Sequence, residues 1–140
     1  MLWFSLLSLL SLPVSGWGLP DGFIAEFVTS APAITGTFAP NPRNNGKPML
    51  LLASKQGLVS VVENPDVSPE SKAILDLEGR LCTNGERGLQ SIAVHPNFLE
   101  NGYIYLFYTP YKEHCPTGPD KGMRNVVERV SMNFVNLELD

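Results

Sequence analysis

The chain has 140 residues, of which 44% are hydrophobic and 17% are charged, and its formal net charge is −4. This composition is that of an ordinary globular protein, and the negative balance excludes a nucleic-acid binder that depends on a basic face. Twelve glycines and twelve prolines interrupt helices and favour turns. The composition therefore indicates an all-β protein built from short elements and many loops.

The first 16 residues have the features of a secretory signal peptide. Met1–Ser15 contains no charged side chain, its apolar core extends from Leu2 to Leu12, and small residues follow where a signal peptidase would cut. This core is shorter than the roughly 20 residues that cross a bilayer, although an uncleaved anchor is an alternative. We therefore expect a secreted, extracellular protein in which residues 17–140 form one domain and cysteines can pair.

Short apolar and β-branched runs, separated by turn residues, predict strands along most of the remaining chain. The predicted strands are Phe23–Val28, Met49–Ser54, Gly57–Glu63, Lys72–Leu77, Leu89–Val94, Tyr103–Thr109 and Val126–Phe134. Loops are predicted at Ala39–Pro48, His95–Gly102 and Pro110–Arg124, and a hairpin turn at Lys55–Gly57. The pattern is typical of repeated antiparallel meanders.

Some predicted strands are apolar on both alternating faces, notably Tyr103–Tyr108 and Met49–Ala53. A strand of this kind needs a covering layer on each side. The blades of a propeller provide two such layers, whereas a β-sandwich buries mainly one face of each strand. The pattern favours a propeller and leaves a sandwich as the alternative.

The most specific motif lies between Gly85 and Tyr105. GERGLQSIAVHPNF at residues 85–98, followed by NGYIY at residues 101–105, resembles the G-E-R-G-L-L-G-I-A-F-H-P-D-F…N-G-x-x-Y motif of the glucose/sorbosone dehydrogenase family. LPDGF at residues 19–23 and NVVERV at residues 125–130 are similar to the family's opening and to the strand after its motif. The resemblance implies a partial six-bladed β-propeller, in which residues 17–140 supply the N-terminal part, about one and a half to two blades.

The family includes secreted sugar dehydrogenases that use pyrroloquinoline quinone (PQQ) and hedgehog-interacting-protein-like members. For a complete ring, the resemblance implies oxidation of an aldose hydroxyl by hydride transfer to PQQ, with calcium polarising the quinone and a histidine taking the proton. One alternative is a non-catalytic secreted propeller that binds a protein ligand, and another is a truncated chain without a function of its own. This chain alone is expected to be inactive and to bind neither PQQ nor calcium, because the family's catalytic histidine segment is not found in it.

Three motif residues are candidates for a functional site. The family's general base lies in a later histidine segment, so His95, which ends a predicted strand just before a proline, is expected to be structural. The resemblance places Glu86 in the substrate and cofactor pocket, where a carboxylate can accept hydrogen bonds from sugar hydroxyls, and Arg87 lies beside it. The alternative is a tight glycine-flanked loop whose charges are solvated or paired. Gln90 and Ser91 replace the family's usual Leu-Gly, which marks a divergent member.

No catalytic residue and no metal ligand is predicted in this chain. The sequence contains no metal-binding motif of the Cys-x-x-Cys or His-Glu-x-x-His type, no phosphate-binding loop and no serine-hydrolase motif. Its two histidines, His95 and His114, have no evident carboxylate partners. A histidine-based metal site is therefore not expected.

Cys82 and Cys115 are predicted to form a disulfide. Cys82 precedes the predicted strand Leu89–Val94, and Cys115 follows the antiparallel partner strand, which ends at Thr109. Antiparallel pairing puts the start of one strand beside the end of the next, so both cysteines project from the same end of one sheet. Two free thiols are the alternative.

We predict that the residues before Trp17 are removed on secretion, because the apolar run is followed by small residues at a suitable cleavage point. N-terminal sequencing of the secreted protein should begin near Trp17. Leu9→Arg, which places a charge in the apolar run, should prevent secretion. Secreted protein that still carries Met1 would contradict the prediction.

Overall fold

Two antiparallel sheets and one short helix make up the computed structural model, which describes residues 20–111, 115 and 123–140. The first sheet has the order β1–β2–β3–β4, with strands at Thr35–Pro40, Pro48–Ala53, Leu58–Val62 and Lys72–Asp76. The second has the order β5–β6–β7, with strands at Leu89–Val94, Tyr103–Tyr108 and Val126–Ser131. Helix α1, at Phe98–Asn101, connects β5 and β6.

No helix in these residues is long and apolar enough to cross a membrane. The predicted signal peptide and His114 lie outside the described residues.

The all-β class and the meander pattern are confirmed. β2 and β3 form the predicted hairpin, in which Leu51 lies opposite Val61. β4 pairs antiparallel with β3, and β6 pairs antiparallel with both β5 and β7. Each sheet is therefore a meander of consecutive strands, as in a propeller blade.

The two sheets pack face to face over a shared apolar layer. Leu51 and Val59 of the first sheet are completely buried, as are Ile104 and Leu106 of the second. β1 and β2 are the strands that contact β5 across this layer. Phe98, which begins α1, is 1% exposed and belongs to the same cluster. Within the described ranges, each sheet therefore provides the core of the other.

The predicted strand Phe23–Val28 is wrong. This segment forms no strand, and both Phe23 and Phe27 are exposed. A strand requires a neighbour that accepts and donates its main-chain hydrogen bonds, and in the described part of the chain this segment forms no such bonds with another strand. The alternation of side chains alone does not supply that partner.

The sequence does not predict β1, and the predicted loop Ala39–Pro48 overlaps its end. The β1 sequence, TGTFAP, contains a glycine and a proline, which both disfavour strands. Its pairing with β2 is nevertheless continuous, from Thr35 opposite Ala53 to Pro40 opposite Pro48. Tertiary pairing with a strongly apolar neighbour therefore overrides the weak local preference.

The sequence predicts that both faces of Tyr103–Tyr108 are covered, but the structure covers only one face of this strand. On β6, Ile104 and Leu106 face the first sheet and are 0% exposed. Tyr103, Tyr105 and Phe107 lie on the other face and are only partly buried. One face of β6 is thus covered by the first sheet, and the other remains accessible in this structure.

Leu106→Ala should lower the free energy of unfolding by about 2–5 kcal/mol, because it leaves a cavity in the layer between the sheets. Val127→Ala is the matched control, since Val127 lies on the neighbouring strand with its side chain 67% exposed, and should cost less than about 1 kcal/mol. Urea unfolding followed by circular dichroism measures both. Equal losses would contradict the assigned core.

Candidate functional site

The loop Gly85–Gly88 lies at the junction of the two sheets. Lys55, in the turn between β2 and β3, contacts this loop from the first sheet. Its carbonyl accepts a hydrogen bond from the Leu89 N–H at 3.0 Å, and its Nζ donates to the Gly85 carbonyl at 2.5 Å. The loop before β5 is thus held on a hairpin turn of the neighbouring sheet.

Gly88 is the position where this junction requires glycine. Its φ is +126°, a conformation that side chains rarely allow, and a Cβ there would lie 2.4 Å from the Lys55 carbonyl oxygen. The Gly88 carbonyl also accepts a hydrogen bond from the Thr109 N–H at 3.1 Å. Glycine therefore permits the close approach of the two main chains.

The two predicted site residues have different surroundings. Glu86 is exposed, and its main-chain carbonyl accepts a hydrogen bond from the Gln90 side chain. Arg87 is half-buried, and its Nη1 donates to Asn84 Oδ1 at 3.2 Å. Glu86 therefore presents a carboxylate to solvent, whereas the Arg87 guanidinium is held against its own loop.

Lys55 and Asn84 complete the cluster, although no motif in the sequence points to either residue. Asn84 Nδ2 donates to the Cys115 carbonyl at 3.3 Å, in addition to accepting from Arg87. Lys55 is distant in sequence from the Gly85–Gly88 loop. The order and direction of the strands nevertheless indicate that the two are close, because the β2–β3 turn and the start of β5 lie at the same end of packed antiparallel sheets. The cluster therefore combines one exposed carboxylate with two cations.

A disulfide joins Cys82 to Cys115 in the structure, with 5.4 Å between their Cα atoms. Cys82 is completely buried, and its N–H donates to the Thr109 carbonyl at 3.0 Å. The bridge connects the chain before the Gly85–Gly88 loop to the chain after β6. The candidate loop is consequently fixed by a covalent bond as well as by hydrogen bonds.

His95 lies at the opposite end of β5 from Glu86, in the turn that leads to α1. Its Nδ1 accepts a hydrogen bond from the Asn97 N–H at 3.0 Å and lies 2.9 Å from Asn101 Nδ2. Its ring also lies edge-on to Tyr103, with 6.0 Å between the ring centroids. β5 is six residues long, which separates the two ends by roughly 20 Å, so the structure does not bring His95 to the candidate loop.

PQQ and calcium, which the resemblance implies for a complete ring, require donors that this loop does not supply by itself. Calcium takes about six to eight oxygen ligands. Among residues 20–111, 115 and 123–140, no three His, Cys, Asp or Glu side chains form a group that could bind a metal. Lys55 and Arg87, the cations beside the loop, are engaged by loop oxygens. The described residues do not form a complete PQQ and calcium site, and we derive no reaction step through either group.

A second group of polar side chains lies at the outer margin of the two sheets. Tyr108 donates a hydrogen bond to Glu128 Oε2 at 2.5 Å beside a cavity of 270 Å³. The cavity is lined by five apolar residues and four polar ones: Leu75, Leu77, Leu81, Pro110 and Val130, and Arg80, Tyr108, Glu128 and Asp140. Burial, the hydrogen bond to Glu128 and the charge of Glu128 raise the pKa of Tyr108 to about 12.

Two blade-like meanders that share one core define this protein as part of a β-propeller. The family model for "Glucose / Sorbosone dehydrogenase" matches residues 39–139. The chain therefore belongs to the glucose/sorbosone dehydrogenase family, as its motif indicates.

Curated relatives of this chain carry the name Hedgehog-interacting protein. The human and the mouse protein are each 34% identical to it over 89 residues. The matched region covers 60% of this chain and 12% of each relative. The chain thus corresponds to a small part of these longer proteins.

Gly88→Ala should lower the free energy of unfolding by more than about 2 kcal/mol, because it adds a collision with the Lys55 carbonyl to the cost of the backbone conformation. Gly79→Ala separates the two effects. Gly79 also has a positive φ, +75°, but a Cβ there would meet nothing within 4 Å, so about 1 kcal/mol is expected. Thermal and urea unfolding measure both variants, and similar losses would show that the close approach is unimportant.

His95→Ala should destabilise the protein by about 1–2 kcal/mol, because the Asn97 N–H loses its acceptor. His95→Asn should retain more stability, since an asparagine oxygen can accept from the N–H two residues ahead. Both variants lose the ring contacts, so their difference in urea unfolding isolates the hydrogen bond. Identical losses would show that the acceptor has no effect.

Tyr108 should ionise with a midpoint near pH 12 in an ultraviolet titration of the folded protein. Because its pKa is raised from 10.0, the stabilising effect of the protonated hydroxyl is present below pH 10 and lost as the pH rises toward 12. Glu128→Gln should lower the midpoint by removing the neighbouring charge, whereas Glu70→Gln, on a distant exposed loop, should not. An unchanged midpoint in Glu128→Gln would contradict the assigned cause.

Proposed function

We propose that this chain belongs to a secreted β-propeller that binds a protein ligand without catalysing a reaction. The observation that carries the proposal is the 34% identity to the human and mouse Hedgehog-interacting proteins. Their name states an interaction with Hedgehog, so a Hedgehog protein is the ligand to test first. In this proposal residues 17–140 form the N-terminal part of the propeller.

The candidate loop supports a binding role. Glu86 is exposed on a loop that is held by Lys55 and lies close to the Cys82–Cys115 bridge. Such a preorganised loop loses little conformational freedom when a partner binds. A carboxylate at its tip can also attract a cationic patch on a partner and orient it.

Secretion is supported by two independent features. The charge-free apolar segment Met1–Ser15 has the composition of a signal peptide. The Cys82–Cys115 disulfide is a bond that persists in oxidising compartments. Both features fit a protein that meets its ligand outside the cell.

The binding proposal is tested with the full chain secreted from cultured cells and purified under non-reducing conditions. Biolayer interferometry against an immobilised Hedgehog protein should give saturable binding. Glu86→Lys should weaken it about tenfold, whereas Glu70→Lys, which makes the same charge change on a loop at the opposite end of the sheets, should not. Absence of saturable binding would refute the proposed function, and equal weakening by both variants would refute the position of the contact.

Sugar oxidation is the second candidate, and the family-model match over residues 39–139 favours it. In a complete ring, PQQ would accept the hydride and calcium would polarise the quinone. Dye reduction by the chain with PQQ, calcium and several aldoses should not exceed that of a heat-denatured sample. Turnover above this background would favour the oxidoreductase and refute a purely binding role.

A further inference from the structure

Three asparagine-glycine pairs occur in the chain: Asn45–Gly46, Asn84–Gly85 and Asn101–Gly102. In such a pair the main-chain nitrogen of the glycine can attack the amide carbon of the asparagine side chain, because glycine has no side chain to obstruct the approach. Asparagine is accordingly one of the thermolabile residues of proteins. The fold decides which pair reacts, since the attacking nitrogen must first give up its proton.

Two of the three glycine nitrogens are held in main-chain hydrogen bonds. The Gly46 N–H donates to the Asn41 carbonyl at 3.0 Å, in the turn between β1 and β2. The Gly102 N–H donates to the Phe98 carbonyl at 2.7 Å, at the end of α1. Removing either proton breaks a hydrogen bond of the fold. Gly85 differs, because it is exposed and its N–H forms no hydrogen bond within the described part of the chain.

The amide carbonyl of Asn84 is bonded to a cation. Arg87 Nη1 donates to Asn84 Oδ1 at 3.2 Å. A positively charged donor polarises this carbonyl and stabilises the negative charge that develops on the oxygen when the carbon is attacked, as an oxyanion hole does. The other hydrogen bond of the side chain runs from Nδ2 to the Cys115 carbonyl at 3.3 Å and does not involve Oδ1. The Asn84–Gly85 pair therefore combines a free attacking N–H with an activated carbonyl.

We propose that Asn84 is a site of spontaneous deamidation in the folded protein. The Gly85 nitrogen loses its proton to a base in the solvent and forms a bond to Asn84 Cγ. The bond between Cγ and Nδ2 breaks, and Nδ2 takes up a proton and leaves as ammonia. Water then opens the resulting succinimide ring at either of its two carbonyls and gives aspartate or isoaspartate. Water is the only co-reactant, and no electrons are transferred.

The product changes the candidate loop, because it carries a negative charge where Asn84 is neutral. An aspartate would accept from the Arg87 guanidinium as an ion pair, which is a stronger bond than the present one. It would no longer donate to the Cys115 carbonyl, so two acceptor oxygens would oppose each other there. Isoaspartate also adds one carbon to the main chain beside Glu86. The inference does not depend on the proposed Hedgehog binding.

The test compares the three pairs in the folded and in the unfolded chain. The full secreted chain is incubated in mildly alkaline buffer, and tandem mass spectrometry of its peptides assigns the exchange of NH₂ for OH to each asparagine. A second sample is reduced and kept unfolded in urea. Asn45 and Asn101 should react at least about tenfold more slowly in the folded chain, because their glycine nitrogens are bonded. Asn84 should react at least as fast in the folded chain as in the unfolded one.

Three variants examine the chemistry at Asn84. Arg87→Met removes the donor to Oδ1 at a similar side-chain length and should slow the reaction of the folded chain at least about fivefold. Arg80→Met removes an exposed arginine outside the loop and should leave the rate unchanged. Asn84→Gln should abolish the reaction in this peptide, because a glutamine would have to close a six-membered ring.

Slower reaction of Asn84 in the folded chain than in the unfolded one would overturn the proposal, as would faster reaction of Asn45 or Asn101 than of Asn84 in the folded chain. This comparison uses no variant, so it holds even if Arg87→Met disturbs the loop. An Arg87→Met chain that keeps the circular dichroism spectrum of the unmodified chain and reacts as fast would refute the activation by the guanidinium.

Discussion

The shared apolar layer between the two sheets is the constraint on which the rest of the structure depends. A three- or four-stranded meander has one apolar face that must be covered. Here Leu51 and Val59 of the first sheet and Ile104 and Leu106 of the second belong to one buried cluster, so the two sheets cover each other. The contact between Gly88 and Lys55, the placement of Phe98 and the position of the candidate loop all require the sheets to be in contact. Loss of this layer would separate Lys55 from the loop that carries Asn84, Glu86 and Arg87.

Strands that carry strong local signals were predictable, and strands that depend on a partner were not. The β2–β3 hairpin and the pairing of β5 with β6 follow from apolar runs separated by turn residues. β1 forms from a poor strand sequence because β2 is available as its neighbour, whereas Phe23–Val28 has a better pattern but pairs with no strand among the residues that the structure describes. Periodicity describes how a segment could pair but does not say which segment will lie beside it.

The candidate site was predictable only in part for a similar reason. Resemblance to a family motif identifies Glu86 and Arg87, and the order of the strands identifies the cysteine pair. Neither reveals that Arg87 is bonded to Asn84, or that Lys55 reaches the loop from the other sheet. These contacts join residues from separate sheets or bend the loop back on itself, so they depend on packing that no short motif encodes. The exposure of the Glu86 carboxylate likewise depends on how the loop packs against the sheets.

The Cys82–Cys115 bridge, with its separation of 33 residues, encloses the candidate loop, β5 and β6 within one covalent ring. A protease that cuts the main chain once inside this ring produces two pieces that remain joined through sulfur. Because β5 and β6 also remain paired, such a nicked molecule can keep its shape and its surface. Damage to this part of the chain would then become visible only when the bridge is reduced.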